Sequence, residues 1–110
     1  MAVFDDPHHA LDATFEAGSR VGAIDLAGYR PRLRAGIHVG RPRMLGGDYL
    51  GVDVNAAARL AENASAGEVL VSDTLLGAVE REHLKTRRRR RFKVKGAPLD
   101  MQAHAVERAR

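Results

Sequence analysis

The segment Gly47 to Leu60, GDYLGVDVNAAARL, constrains this chain more than any other. Gly46 and Gly47 supply permissive backbone for a turn that presents Asp48. Gly51 then opens an alanine-rich helix predicted to run to about Asn63. Asn55 and Arg59 fall four residues apart on it, so their side chains stand one above the other on one helix face. Asn55 offers an amide, and Arg59 a planar, permanently charged fork. Together they can hold a phosphate ester and a neighbouring oxygen. Ala56, Ala57 and Ala58 between them are small enough for a ligand or a second subunit to approach closely. Spacing of this kind is weak evidence by itself, because an Asn near a helix start is commonly a cap and an exposed Arg is commonly just solvated.

Helical and strand patterns alternate around this segment. Asp6 to about Ala27 is predicted as a helix with Asp-Asp-Pro as its start, and Ala10, Leu11 and Phe15 on one face. Gly18 and Gly22 weaken its second half, Gly28 is expected to end it, and Pro31 forbids its continuation. His8 and His9 are adjacent in its first turn and do not face each other, which argues against a metal pair. Leu33, Ala35, Ile37 and Val39 alternate with Arg34, Gly36, His38 and Gly40, the pattern of a half-buried strand. Arg41 to Gly47 is expected to form a hairpin or flap. Ser65-Ala66-Gly67 ends the central helix, Glu68 to Val71 reads as a strand, and Asp73 is expected to cap a short helix bearing Leu75, Leu76 and Val79. The last two strands are expected at Arg89–Lys95 and Met101–Val106, linked through Gly96-Ala97-Pro98.

A chain of 110 residues makes one domain at most, and its 45% hydrophobic content permits a core. The absence of cysteine excludes disulfide, thiol and zinc-finger chemistry. No run is long and apolar enough to cross a membrane, and no signal peptide is present, so a cytoplasmic location is the default expectation. The net charge of +4 is concentrated in Lys85 to Lys95, with the run Arg87 to Arg91 inside it. Phe92 alone supplies an aromatic there. A solvated loop and edge strand therefore account for the block better than a nucleic-acid site does.

Residues 33 to 76, read in order, resemble the C-terminal half of the catalytic domain of class III nucleotide cyclases, the adenylate and guanylate cyclase family. Gly36-Ile37-His38-Val39-Gly40 is similar to the family's Gly-Ile-His-x-Gly strand. Asp48-Tyr49-Leu50-Gly51 and Val54-Asn55-Ala56-Ala57-Ala58-Arg59-Leu60 resemble its substrate turn and helix. Ala66-Gly67-Glu68-Val69-Leu70-Val71-Ser72 resembles the next turn and strand, and Lys93-Val94-Lys95-Gly96 the later Lys-Gly motif.

The resemblance implies an α/β (α+β) ferredoxin-like cyclase fold, N-terminally truncated, with residues 1–110 forming the C-terminal portion of the domain. It implies that Asn55 orients the ribose, Arg59 stabilises charge on the transferred phosphoryl group, and Lys95 contacts the terminal phosphates. Asp48 falls where adenylate cyclases bind the adenine amino group, which favours ATP over GTP. Family members hold two Mg2+ or Mn2+ ions on two aspartates that precede a strand ending like Met1-Ala2-Val3-Phe4. Asp5 and Asp6 follow that strand, so no metal is expected on this chain alone. His38 belongs to the signature and is read as structural.

The resemblance also implies a dimer with another cyclase domain, each active site being shared across the interface. The expected function is that of an adenylate cyclase-type segment, making cyclic AMP and pyrophosphate from ATP, inactive as the isolated chain. The alternative is a non-catalytic pseudo-cyclase that pairs with and regulates an intact one. A remnant, or a start placed too far downstream, would each explain such a portion.

Overall fold

In a computed structural model of the chain, residues 2–40, 43–45, 48–50, 52–89 and 102–109 are described. The elements follow in the order α1 (Pro7–Gly22), β1 (Ala35–Ile37), β2 (Arg43–Leu45), β3 (Asp48–Leu50), α2 (Val52–Asn63), β4 (Val69–Ser72), α3 (Asp73–Gly77), β5 (Leu84–Arg89) and β6 (Ala103–Arg108).

α1 starts where the sequence indicates. Asp6 is its N-cap, accepting the His8 N–H at 2.8 Å, and Pro7 takes the first turn, where a missing N–H costs nothing. The same backbone N–H bond holds the Asp6 carboxyl below the usual carboxylate range. Ala10 and Leu11 are buried, and Phe15 packs beside them. The helix stops at Gly22, short of the expected Ala27. Residues 25–29 instead form a turn of their own. The Leu26 N–H donates to Tyr29 O at 2.8 Å and the Tyr29 N–H to Leu26 O at 3.0 Å. Ala27 and Gly28 both have positive φ, 54° and 92°, as a tight two-residue connection demands. Gly28 thus serves this turn and does not terminate the helix.

The main sheet has the order β1-β4-β6-β5. β1 and β4 are parallel, and the crossover between them includes the β2–β3 pair and α2; the other pairings are antiparallel. One sheet face lies under α2, where Leu60 and Ala64 meet Leu70, Ala103 and Ala105. On the opposite face Val71 and Val106 pack with Leu11, Leu75 and Leu76, with Ile37, Val69, Val79 and Leu84 around them. The alternation at 33–40 predicted one covered face. The strand is shorter, Ala35–Ile37, and both its faces are covered, because Gly36 lies beneath α2 while Ile37 joins the other core.

Two further expectations are corrected. The N-cap of α3 is Ser72, not Asp73: the Leu75 N–H donates to Ser72 Oγ at 3.2 Å. The strand paired with the C-terminal one is Leu84–Arg89, so the expected strand at 89–95 meets it only at Arg89, and residues 90–95 lie outside the described residues. As read from its charge, β5 is at the edge of the sheet among the described strands, with Lys85, Thr86, Arg87 and Arg88 exposed. The C-terminal strand runs from Ala103 to Arg108, two residues beyond Val106.

Candidate nucleotide site

The geometry of α2 begins with what it buries. Ala56, Leu60 and Ala64 recur every four residues and are all buried against the sheet. This stripe fixes the helix's rotation. Asn55 and Arg59, each one residue before a buried position, are then both exposed, with Ala58 and Glu62 on the same open side. Arg59 keeps 44% of its side-chain surface and makes an ion pair through Nη1 with Glu62 Oε2 at 2.7 Å. The Asn63 side-chain amide donates to Arg59 O at 2.8 Å and fastens the last turn. Glu62 is absent from the sequence-derived site, although its i,i+3 spacing from Arg59 is legible.

The small residues of this helix serve a purpose other than the one expected. Ala56 is fully buried, and Ala57 lies over Gly36 of β1. Only Ala58 remains exposed for an approaching ligand or subunit.

β2 and β3 are paired antiparallel with Leu45 opposite Asp48, so the hairpin expected over 41–47 has its second strand at Asp48–Leu50, beyond that span. Asp48 opens β3, at the end of the strand away from α2, and one residue separates Leu50 from the start of the helix that bears Asn55 and Arg59. Lys95 lies outside the described residues.

His38, just beyond β1, is half-buried, and its Nδ1 lies 2.7 Å from Ser72 Oγ. Ser72 is fully buried and simultaneously caps α3. One hydroxyl therefore couples the signature histidine, the end of β4 and the start of α3, in keeping with a structural role for His38.

A carboxylate that the sequence did not single out anchors the opposite end of α2. Glu68 accepts the Ser65 N–H at 3.0 Å and the guanidinium of Arg89, while Arg87 Nη2 lies 3.6 Å from its second oxygen. Arg89 also reaches Asn63 O at 3.4 Å. These bonds join the exit of α2, the start of β4 and the edge strand around a cavity of about 520 Å³. A second cavity, about 290 Å³, lies beside β1, with Phe4, Val39 and Ala57 in its wall.

Among the described residues, no group of three or more His, Asp or Glu side chains is arranged to hold a metal ion. Nor is any described helix long and apolar enough to cross a membrane.

A mixed α/β domain with a four-stranded sheet, and a surface helix presenting Asn and Arg one turn apart, fits a nucleotide cyclase. The chain belongs to the adenylate and guanylate cyclase catalytic domain family, whose model matches residues 30–108. It is similar to the pH-sensitive adenylate cyclase MT1302 of Mycobacterium tuberculosis (strain CDC 1551 / Oshkosh), 37% identical over 79 residues. That match covers 72% of this chain and 19% of the relative, so the chain spans about a fifth of that protein's length.

Proposed function

We propose that this chain contributes the ribose- and phosphate-facing half of an adenylate cyclase active site shared with a second cyclase domain. The observation that supports this most is the joint exposure of Asn55 and Arg59 on one side of α2, while Ala56 and Leu60 lock the other side into the core. In this reading Asn55 orients the ribose as its 3′ hydroxyl attacks the α-phosphate. Arg59 stabilises the negative charge that builds on that phosphate as pyrophosphate leaves. Lys95 holds the terminal phosphates. Asp48 accepts from the adenine amino group, an acceptor suited to ATP, and the name of the mycobacterial relative supports the same substrate.

The carboxylates for Mg2+ or Mn2+ come, in this reading, from the partner domain, so the chain forms no cyclic AMP alone. Complementation tests this. The chain is mixed with a family cyclase that keeps its metal carboxylates but has lost its own Asn and Arg, and cyclic AMP is measured. Restored synthesis that disappears with Arg59→Ala is expected. Metal-dependent synthesis by the pure chain would overturn the proposed division of the site.

A second reading is a regulatory module that pairs with an intact cyclase without completing its chemistry. It predicts that the chain changes the activity of an intact cyclase yet restores nothing to the damaged one.

A further inference from the structure

Leu26 and Tyr29, 62% and 67% exposed, are the most exposed of the large apolar side chains among the described residues, with Ile24 at 43% beside them in sequence and Val3 and Phe4 at 50% and 45% near the N-terminus. Ile24, Leu26 and Tyr29 lie in the connection between α1 and β1. This connection is held in shape by the paired backbone bonds between Leu26 and Tyr29 and by the Asp25 carboxylate, which accepts the Gly28 N–H at 2.8 Å. Its tip places Ala27 at φ 54°, a region that a residue with a Cβ adopts only under strain. A rigid, strained turn thus projects two large apolar side chains into water.

The residues that follow supply charge in a regular pattern. Arg30, Arg32 and Arg34 are exposed, while Pro31 and Leu33 between them are half-buried, and Leu33 packs toward Gly18 of α1. Arg30 lies 3.7 Å from Asp25. Neither Arg32 nor Arg34 has a carboxylate at ion-pair distance among the described residues.

Three side chains fall far short of the roughly 800 Å² per partner that a stable protein interface buries. An apolar tip with a tyrosine, followed in the chain by three exposed arginines, instead has the composition of a surface that settles into lipid headgroups. We infer that the α1–β1 turn docks on an anionic membrane surface. Leu26 and Tyr29 enter the headgroup layer, and the arginine row lies against lipid phosphates. Such docking needs no spanning helix.

The chain contains no tryptophan, so Tyr29→Trp installs a single tryptophan at the tip, whose emission can be excited apart from that of Tyr49. With vesicles of phosphatidylglycerol and phosphatidylcholine its emission shifts to the blue; with phosphatidylcholine alone it does not, and added salt weakens the effect. Replacing Arg32 and Arg34 with alanine weakens partitioning about five-fold for each arginine. Leu26→Asp abolishes the shift while leaving the far-ultraviolet circular dichroism unchanged. No shift with acidic vesicles overturns the inference. So does a shift without vesicles that grows with protein concentration, which indicates self-association, or binding to an oligonucleotide but not to vesicles.

Discussion

Gly36 of β1 lies directly beneath Ala57 of α2: a Cβ placed on Gly36 would fall 2.6 Å from the Ala57 carbonyl oxygen and closer still to the backbone nitrogen of Ala61. The obstacle is helix backbone, which cannot turn aside as a flexible side chain can. Gly36→Ala must therefore lift α2 from the sheet. We expect a loss of at least about 1–3 kcal/mol, the range for overpacked cores, read as a lower urea midpoint. The same displacement moves Asn55 and Arg59, so complementation should fall as well. An unchanged midpoint would mean that the helix yields freely at this contact.

Glu68 should matter to stability out of proportion to its place at the surface. Its side chain is 13% exposed and accepts from the Ser65 backbone and from Arg89. Glu68→Ala leaves those donors without their carboxylate and is expected to cost about 1–3 kcal/mol. Arg87 keeps 74% of its side-chain surface and lies 3.6 Å from Glu68, so Arg87→Ala should stay within about 0.5 kcal/mol. Chemical denaturation of the two variants side by side checks the ranking. Equal losses would show that Arg87, too, is integral to the clamp.

His104 makes stability depend on pH. It sits on β6 between Val71 and Arg88 of the neighbouring strands. Burial pushes its imidazole below the ordinary value of 6.5; Asp73 opposes the shift, and Arg81 and Arg88 add to it. With a lowered folded-state pKa, the unfolded chain takes up the proton first as pH falls. The stability due to neutral His104 is thus fully present above pH 6.5 and is lost as pH falls from there through the lowered folded value. Urea midpoints measured on descending from neutral pH should decline over that window, and His104→Gln should flatten the decline. A wild-type profile unchanged by the substitution would remove His104 as its source.

Arg59 and Glu62 separate chemistry from stability. Arg59→Ala should reduce cyclic AMP formation in the complemented site by about 10²–10³-fold, the usual effect of deleting one preorganised charge donor. Arg59→Lys should recover little, because an ammonium lacks the planar fork. The Arg59–Glu62 pair is largely solvated, with 44% and 59% of the two side chains exposed, so Glu62→Gln should alter stability by less than about 1 kcal/mol. Activity that survives Arg59→Ala would reassign the charge-stabilising role.

What this sequence determines by itself is local. The start of α1 follows from Asp6 and Pro7, whose geometry depends on immediate neighbours. The shared side of Asn55 and Arg59 follows from four-residue spacing, and the helix containing them follows from alanine-rich propensity. The Gly-Ile-His and Asn-x-x-x-Arg motifs carry the resemblance to the family whose model matches residues 30–108.

Only the tertiary structure decided the rest, through contacts between residues far apart in the chain. β5 is a strand because Leu84–Arg89 pairs in register with Ala103–Arg108, although a run of charge offers no alternating apolar face. Ser72 displaces Asp73 as the cap because its hydroxyl, at the end of β4, reaches the Leu75 N–H and lies beside His38, 34 residues away. Gly36 is needed because α2 returns across β1 at van der Waals range. Glu68 becomes an anchor because the fold lets the guanidinium of Arg89, 21 residues away, reach its carboxylate. Periodicity and propensity record what each segment prefers; register, caps and close approaches depend on what the folded chain sets against it.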